Sequence, residues 1–207
     1  MRNVPEIGDM VKALGDLMRV SISGDDFILL ADEIENITNY LKIQKFRYGD
    51  RIDVFIRIDE DLKQIMIPKL TLQPIVENAF VHGLEGKVDK GRIEIKGSLE
   101  NGRIVIKVSD DGLGMSDKME SLLNRRFSEP ARDNIDIKTN LHQLINKETE
   151  ADSSKDFHTH IGLINVDRRI KLYFGQEYGV SVTSSLGSGT LVKVVLPSDL
   201  SSMSRLA

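Results

Sequence analysis

Asp110 follows a strand-like run, Arg103-Ile104-Val105-Ile106-Lys107-Val108, and opens Asp110-Asp111-Gly112-Leu113-Gly114, where two glycines let the backbone turn tightly. A carboxylate there can accept a hydrogen bond from an exocyclic amine. That separates adenine from guanine, whose matching ring position carries a carbonyl. Earlier, Val76-Glu77-Asn78-Ala79-Phe80-Val81-His82-Gly83 reads as a helix, with Asn78 and His82 on one face. A hard divalent cation prefers oxygen ligands and keeps several waters, so one amide oxygen plus phosphate oxygens suffices for Mg²⁺. Gly187-Ser188-Gly189-Thr190 lies between two further strand-like runs, and glycines of this kind let backbone approach phosphates. The three stretches, in this order, point to a nucleotide site. Each has a plainer alternative: Asn78 bonded to its own helix, His82 packed under a loop rather than donating to a phosphate or ribose oxygen, and an ordinary hairpin glycine pair before Thr190.

The elements that must position these groups alternate between two periods. Ile7, Met10, Val11, Leu14, Leu17 and Met18 repeat at helical spacing over residues 7–20, and Ser23 or Asp25 offers a cap for the next helix. Over residues 26–48, Leu30, Ile34, Ile37 and Leu41 form a narrow seam, suited to a partner helix or to docking on its own domain. Ile52, Val54, Ile56 and Ile58 then alternate with Asp53, Phe55 and Arg57, a half-buried strand. A helix is expected over 68–84, with Pro74 limiting or kinking its first turns. Residues 93–96 and 104–108 flank Glu100-Asn101-Gly102-Arg103, a hairpin turn. A short helix is read at 115–124. Residues 128–160 are polar, with one helical stretch at 135–145. Residues 162–174 form a helix whose first N–H groups can face phosphates, and 178–184 and 190–196 a closing hairpin. The expected fold is α+β: a two-layer sandwich whose sheet is not purely parallel.

Composition narrows the classes. The 207-residue chain carries a net charge of -4, 40% hydrophobic and 29% charged residues, an ordinary soluble balance without the basic excess of a nucleic-acid or anionic-membrane binder. With no cysteine it has neither disulfides nor Cys-ligated zinc. No apolar run approaches the roughly 18 residues of a membrane span. His158-Thr159-His160 lacks a third metal ligand nearby.

The ordered motifs resemble the ATP-binding domain of the GHKL superfamily, which includes gyrase B, MutL, the large heat-shock chaperone ATPase and the sensor histidine kinases. Ile67-Pro68-Lys69-Leu70-Thr71-Leu72-Gln73-Pro74-Ile75-Val76-Glu77-Asn78-Ala79 and Ile161-Gly162-Leu163-Ile164-Asn165-Val166-Asp167-Arg168-Arg169-Ile170 are similar to the LytS/YesM type of sensor histidine kinase. The resemblance spans roughly residues 10–197. It implies a helical remnant of a dimerisation region at 1–48, an ATP-binding catalytic domain at 49–197 with a lid at about 115–160, and a frayed tail at 198–207. It implies that Asp110 reads the adenine amine, with Asp111 in the motif's variable place. Gly112 and Gly114 pass close to the base, Thr190 supports it, and Asn78 holds Mg²⁺. Gly162 and Leu163 open the phosphate-facing helix, although His160-Ile161-Gly162-Leu163 replaces one glycine of the family's Gly-x-Gly-Leu, and His160 itself could touch phosphate. Many relatives carry a Lys three residues after the Asn. Here Val81 stands there, leaving Lys87, Arg168 or Arg169 to balance the triphosphate, unless the arginines only form a solvated face.

Hydrolytic members of the superfamily place a Glu four residues before the Asn to activate water. Here that residue is Pro74, which offers no base. Glu77, the remaining carboxylate of the motif and a conceivable catalytic group, points about 100° away around a helix. Transfer to a protein side chain therefore fits better than hydrolysis. The acceptor motif of this kinase type, Pro-His-Phe-Leu-Tyr-Asn, does not occur, and the first histidine is His82. The expectation is a fragment that begins after its phosphoacceptor, binds ATP and does not phosphorylate itself. It would belong to a homodimeric parent, anchored in the cell membrane by upstream segments, that relays phosphate to a response regulator from the cytoplasmic side. The alternatives are an anti-sigma-factor-type serine kinase, against which Pro74 and the leading helices argue, and a non-catalytic nucleotide-gated interaction module.

Overall fold

The computed structural model describes residues 26–84, 87, 89–130 and 160–198. The helices expected at 7–20 and 135–145, the larger part of the expected lid, His158 and the tail from 199 onward lie outside the described residues. The first described element is a strand. Phe27–Leu29 (β1) pairs antiparallel with Met66–Pro68 (β3), so the expected helix over 26–48 begins only at Leu30. Helix α1, Leu30–Tyr48, turns Leu30, Ile37 and Leu41 into the core of its own domain. Three of the four seam residues are thus covered by the chain's own elements, and Ile34 is partly buried against them.

Strand β2, Ile52–Ile58, is the edge of a five-stranded sheet and runs parallel to β4, Gly91–Glu100. Strands β5 (Arg103–Asp110), β7 (Gly189–Pro197) and β6 (Gly179–Ser185) follow antiparallel, in the order β2-β4-β5-β7-β6. The hairpin between β4 and β5 turns at Asn101 and Gly102, both with positive φ, which gives the twist a tight hairpin requires. One face of the sheet is apolar by simple alternation: Ile93 and Ile95, Ile104, Ile106 and Val108, Val192 and Val194, Val180 and Val182 are all buried.

Helices cover that face. The motif segment splits into three parts instead of forming one helix over 68–84: β3, then a turn, then α2, Gln73–Asn78, continuing as a wider π-helical stretch over Ala79–Leu84. Pro74 sits in the first turn of α2, where no intrahelical N–H is needed. Helix α3, Asp117–Ser128, starts at Ser116, whose hydroxyl accepts from Met119 N, and buries Leu123 and Phe127. The first part of the expected lid is thus a docked helix. Helix α4, Ile161–Phe174, buries Leu163, Ile164, Val166 and Ile170. Its Asp167 and Lys171 form a buried pair at 2.6 Å that also binds Val180 N of β6 and the Phe127 carbonyl of α3, tying three elements together.

Candidate nucleotide site

The apolar rows of the sheet end in polar residues at one end. Two residues past Val108 the same face presents Asp110; two before Val192 it presents Thr190; two past Val182 it presents Ser184. Register places Ile93, Asp110, Thr190 and Ser184 side by side across four strands. Asp110 and Thr190 line the floor of a cavity of about 400 Å³, within the usual range of small-ligand sites. The walls come from Asn78, His82 and Gly83 of the motif segment, Leu113 to Ser116 of the glycine loop, His160 and Leu163 at the start of α4, and Leu186 of the β6–β7 turn.

Asp110 is held by main-chain donors. Its Oδ1 accepts from Gly112 N at 2.9 Å, and Thr190 N also bonds the carboxylate. Burial pushes its pKa up to about 6, and Asp111 adds to the rise, while those two N–H groups and Lys87 oppose it. Near neutral pH the group is a desolvated carboxylate facing a cavity, a strong acceptor for an amine.

The glycines make the approach possible. A Cβ on Gly112 would stand 2.1 Å from the Gly83 carbonyl oxygen, and one on Gly114 (φ +67°) 2.0 Å from the Ser185 oxygen. The loop is sewn to both neighbours: Leu113 N donates to Gly83 O at 3.0 Å, and Gly187 N to Leu113 O at 2.7 Å. Gly114 lines the cavity while Gly112 packs behind it against the motif helix. Gly162 likewise lies behind the wall; a Cβ there would be 3.3 Å from Pro74 Cβ, so it brings the start of α4 down onto α2.

Asn78 Nδ2 donates to the Pro74 carbonyl at 2.9 Å. A carbonyl can only accept, so the amide nitrogen is fixed toward the helix and Oδ1 is the atom left for other partners. The bond to its own helix and a role in the cavity coexist. His82 and His160 meet edge to face, ring centroids 5.4 Å apart, and both line the cavity.

Several expected residues lie elsewhere. Glu77 Oε1 accepts from Gln73 Nε2 at 2.9 Å, outside the cavity. Lys87 pairs with Asp111 at 3.0 Å. Arg169 donates to the Leu70 carbonyl at 2.7 Å. Neither they nor Arg168 line the cavity, whose described lining contains no Lys or Arg.

Two residues of the site's framework belong to none of the motifs. Ser184 stands beside Thr190 on the floor row. Glu33, 1% exposed on α1, accepts from Leu72 N at 2.5 Å and Gln73 N at 3.2 Å, the free donors at the start of the helix that carries Asn78. Burial pushes Glu33 up to about 7 despite these bonds and the nearby Arg169. A signal existed for both: each is a polar residue standing where its element's period demands an apolar one.

Comparison with known proteins identifies the family and the fold. Residues 66–200 match the family model of the "Histidine kinase-, DNA gyrase B-, and HSP90-like ATPase", and residues 1–52 match that of the "Histidine kinase". The chain is 31% identical to sensor histidine kinase YesM of Bacillus subtilis over 93% of its length, and 30% identical to sensor histidine kinase BtsS of Escherichia coli over 95%. It spans 28% of the length of each of these relatives. Among solved structures, the histidine kinase domain of the Erythrobacter litoralis EL346 blue-light activated histidine kinase aligns with a TM-score of 0.51 at 18% identity, covering 97% of this chain and 77% of that one. The Acinetobacter baumannii histidine kinase AdeS aligns at 0.52 and 11%, covering 91% and 77%. These two likenesses carry the fold.

Proposed function

Because the chain belongs to the histidine kinase-, DNA gyrase B- and HSP90-like ATPase family, we propose that it is the Mg-ATP-binding catalytic domain of a two-component sensor histidine kinase. In this reading it serves transfer of the γ-phosphoryl group to a histidine elsewhere in a longer, homodimeric protein, for relay to a response regulator. The observation that carries the reading is the pair of floor residues: a half-buried carboxylate, Asp110, beside Thr190 at the base of a cavity walled by Asn78 and the start of α4. Asp110 accepts from the adenine amine, and Thr190 completes that end. Leu163 and the N–H groups of the first turn of α4 face the phosphates, whose negative charge suits a helix N-terminus. Asn78 Oδ1 supplies one protein oxygen to Mg²⁺, the modest ligand share that this ion takes from proteins. When bound, the ion neutralises charge on the phosphates and orients them.

Pro74 supports transfer over hydrolysis. It occupies the place one turn before Asn78, and its ring packs against Gly162, so no side chain there can deprotonate a water. Among the described residues no helix is long and apolar enough to cross a membrane; anchoring of the parent is part of the proposal. Incubating the full-length gene product with labelled ATP tests the reading. Acid-labile phosphate on a histidine outside residues 1–207 is expected. ATP binding without transfer to any histidine would replace it with the nucleotide-gated module, and transfer to serine with the anti-sigma-factor type of kinase.

A further inference from the structure

We propose that Ser184 is a positioning residue that fixes the Thr190 hydroxyl as a hydrogen-bond acceptor toward the bound base, and so sharpens selection for a base edge that carries an amine. The inference rests on the adenine-nucleotide reading of the cavity and adds to it a proton inventory.

Ser184 is 8% exposed, and its Oγ makes three contacts. It lies 2.8 Å from the Gly189 carbonyl oxygen, 2.9 Å from Met115 N and 2.9 Å from Thr190 Oγ1. A hydroxyl has one proton to give and two lone pairs to accept with. A carbonyl can only accept, so the Ser184 proton goes to Gly189. The Met115 N–H can only donate, so it takes one lone pair. The remaining lone pair faces Thr190, and the short contact is satisfied only if Thr190 donates its single proton to Ser184. Thr190 Oγ1 then has lone pairs alone to offer the cavity it lines. Asp110, its direct register partner, is an acceptor too once ionised. Two adjacent acceptors at the floor suit an amine or a water that donates. They leave a ring carbonyl, as in hypoxanthine or guanine, facing oxygen lone pairs. Ser184 is not part of the cavity lining, so it acts through Thr190. The same hydroxyl ties Met115, at the end of the glycine loop, to the β6–β7 hairpin, so the polarity of Thr190 and the position of the loop share one anchor.

Calorimetry with the magnesium complexes of ADP and inosine diphosphate tests this, because the two bases differ at the amine or carbonyl position and at the adjoining ring nitrogen. The wild-type chain should prefer ADP. In Ser184→Ala the Thr190 proton is released and can rotate toward a carbonyl. The ADP-to-IDP preference should then narrow by roughly 2- to 10-fold, the worth of one neutral hydrogen bond. Ser184→Thr, which keeps the hydroxyl, should restore the preference. In a Thr190→Val background, with no proton to release, Ser184→Ala should leave the ratio unmoved. An unchanged ratio in Ser184→Ala with ADP binding intact overturns the assignment, as does an equal change in the Thr190→Val background. A wild-type chain that binds neither nucleotide overturns the nucleotide reading itself, a distinct outcome. Should Ser184→Ala fail to fold, the wild-type Thr190 hydroxyl proton answers by NMR. Slow exchange and contact with the Ser184 methylene, both retained on adding ADP, are expected, and a proton that moves onto the nucleotide contradicts the proposal.

Discussion

Gly83 backs directly onto the carboxylate of Asp110: a Cβ built on Gly83 would stand 2.6 Å from Oδ1 and 2.8 Å from Cγ. The same residue's carbonyl receives Leu113 N and lies against Gly112. Gly83 is therefore the joint where the segment carrying Asn78 and His82 meets the strand end carrying Asp110. The motif's terminal glycine is required by close approach; no positive φ is involved.

Gly83→Ala should spare the fold and damage the site. The displaced atoms belong to the end of a side chain that can swing away, so the thermal midpoint should change little. The swing pulls Asp110 off Gly112 N and out of its aim at the cavity. An ADP affinity lowered about 10-fold or more, matching the loss of a charge-assisted bond, with an unchanged circular dichroism spectrum, is expected. Wild-type affinity would show that Asp110's placement does not matter.

Asn78→Ala separates metal from base. The helix loses one bond to Pro74 O, whereas the floor of the cavity is untouched. Wild-type ADP affinity should rise on adding Mg²⁺, and that gain should vanish in Asn78→Ala while metal-free affinity stays within about 2-fold, no more than the low end of one hydrogen bond's worth. A Mg²⁺ gain equal to the wild type would remove Asn78 from the ion.

The sequence carried the strands well because their alternation is period two and their turns are chemically marked. Asn101-Gly102 and the loop glycines announced both hairpins. The motif segment was harder. Its apolar residues fit a helix from 68 onward, yet β1 captures residues 66–68 by main-chain pairing that no periodicity reveals. The same pairing takes 27–29 from the helix expected over 26–48. Asp110, Asn78, His82, Gly114, Leu163 and Thr190 line one cavity, whereas Gly112 and Gly162 do not. Nor do the basic residues, since a charge's partner depends on tertiary neighbours: Lys87 was claimed by Asp111 and Arg169 by the Leu70 carbonyl. Ser184 and Glu33 went unread because neither belongs to a motif.

Glu33 should give the protein a pH-dependent stability. Its pKa is near 7 folded against an ordinary 4.5, so the folded state holds the proton more tightly. The associated stability is fully present below pH 4.5 and is lost as pH rises through 7. Between pH 6.5 and 8.5, above the Asp110 value near 6, the wild-type melting temperature should fall, and Glu33→Gln should flatten that slope. At pH 5.5, Glu33→Ala should cost about 1–3 kcal/mol by stranding Leu72 N and Gln73 N. Thermal melts between pH 6.5 and 8.5 and denaturant titrations at pH 5.5 measure the two, and a wild-type melting temperature that rises with pH over that range would contradict the burial argument.

Alone with labelled ATP, the 207-residue chain should release little phosphate and take up no stable label on histidine. Pro74 removes the water-activating carboxylate, and the sequence contains no acceptor motif. Thin-layer assay of free phosphate and acid-lability mapping of the protein read the two outcomes. Steady turnover, or label on His82, His142, His158 or His160, would refute them.

Asp110 bears the central claim, and calorimetry of Mg-ATP on Asp110→Asn reads it most directly. Gly112 N and Thr190 N both donate toward the Asp110 side chain, so an asparagine there keeps its oxygen on them and turns its NH₂ toward the cavity. A donor then faces the adenine amine. Affinity should fall about 10- to 150-fold relative to wild type, the loss of a charge-assisted bond. ATP binding by Asp110→Asn equal to wild type would contradict the account.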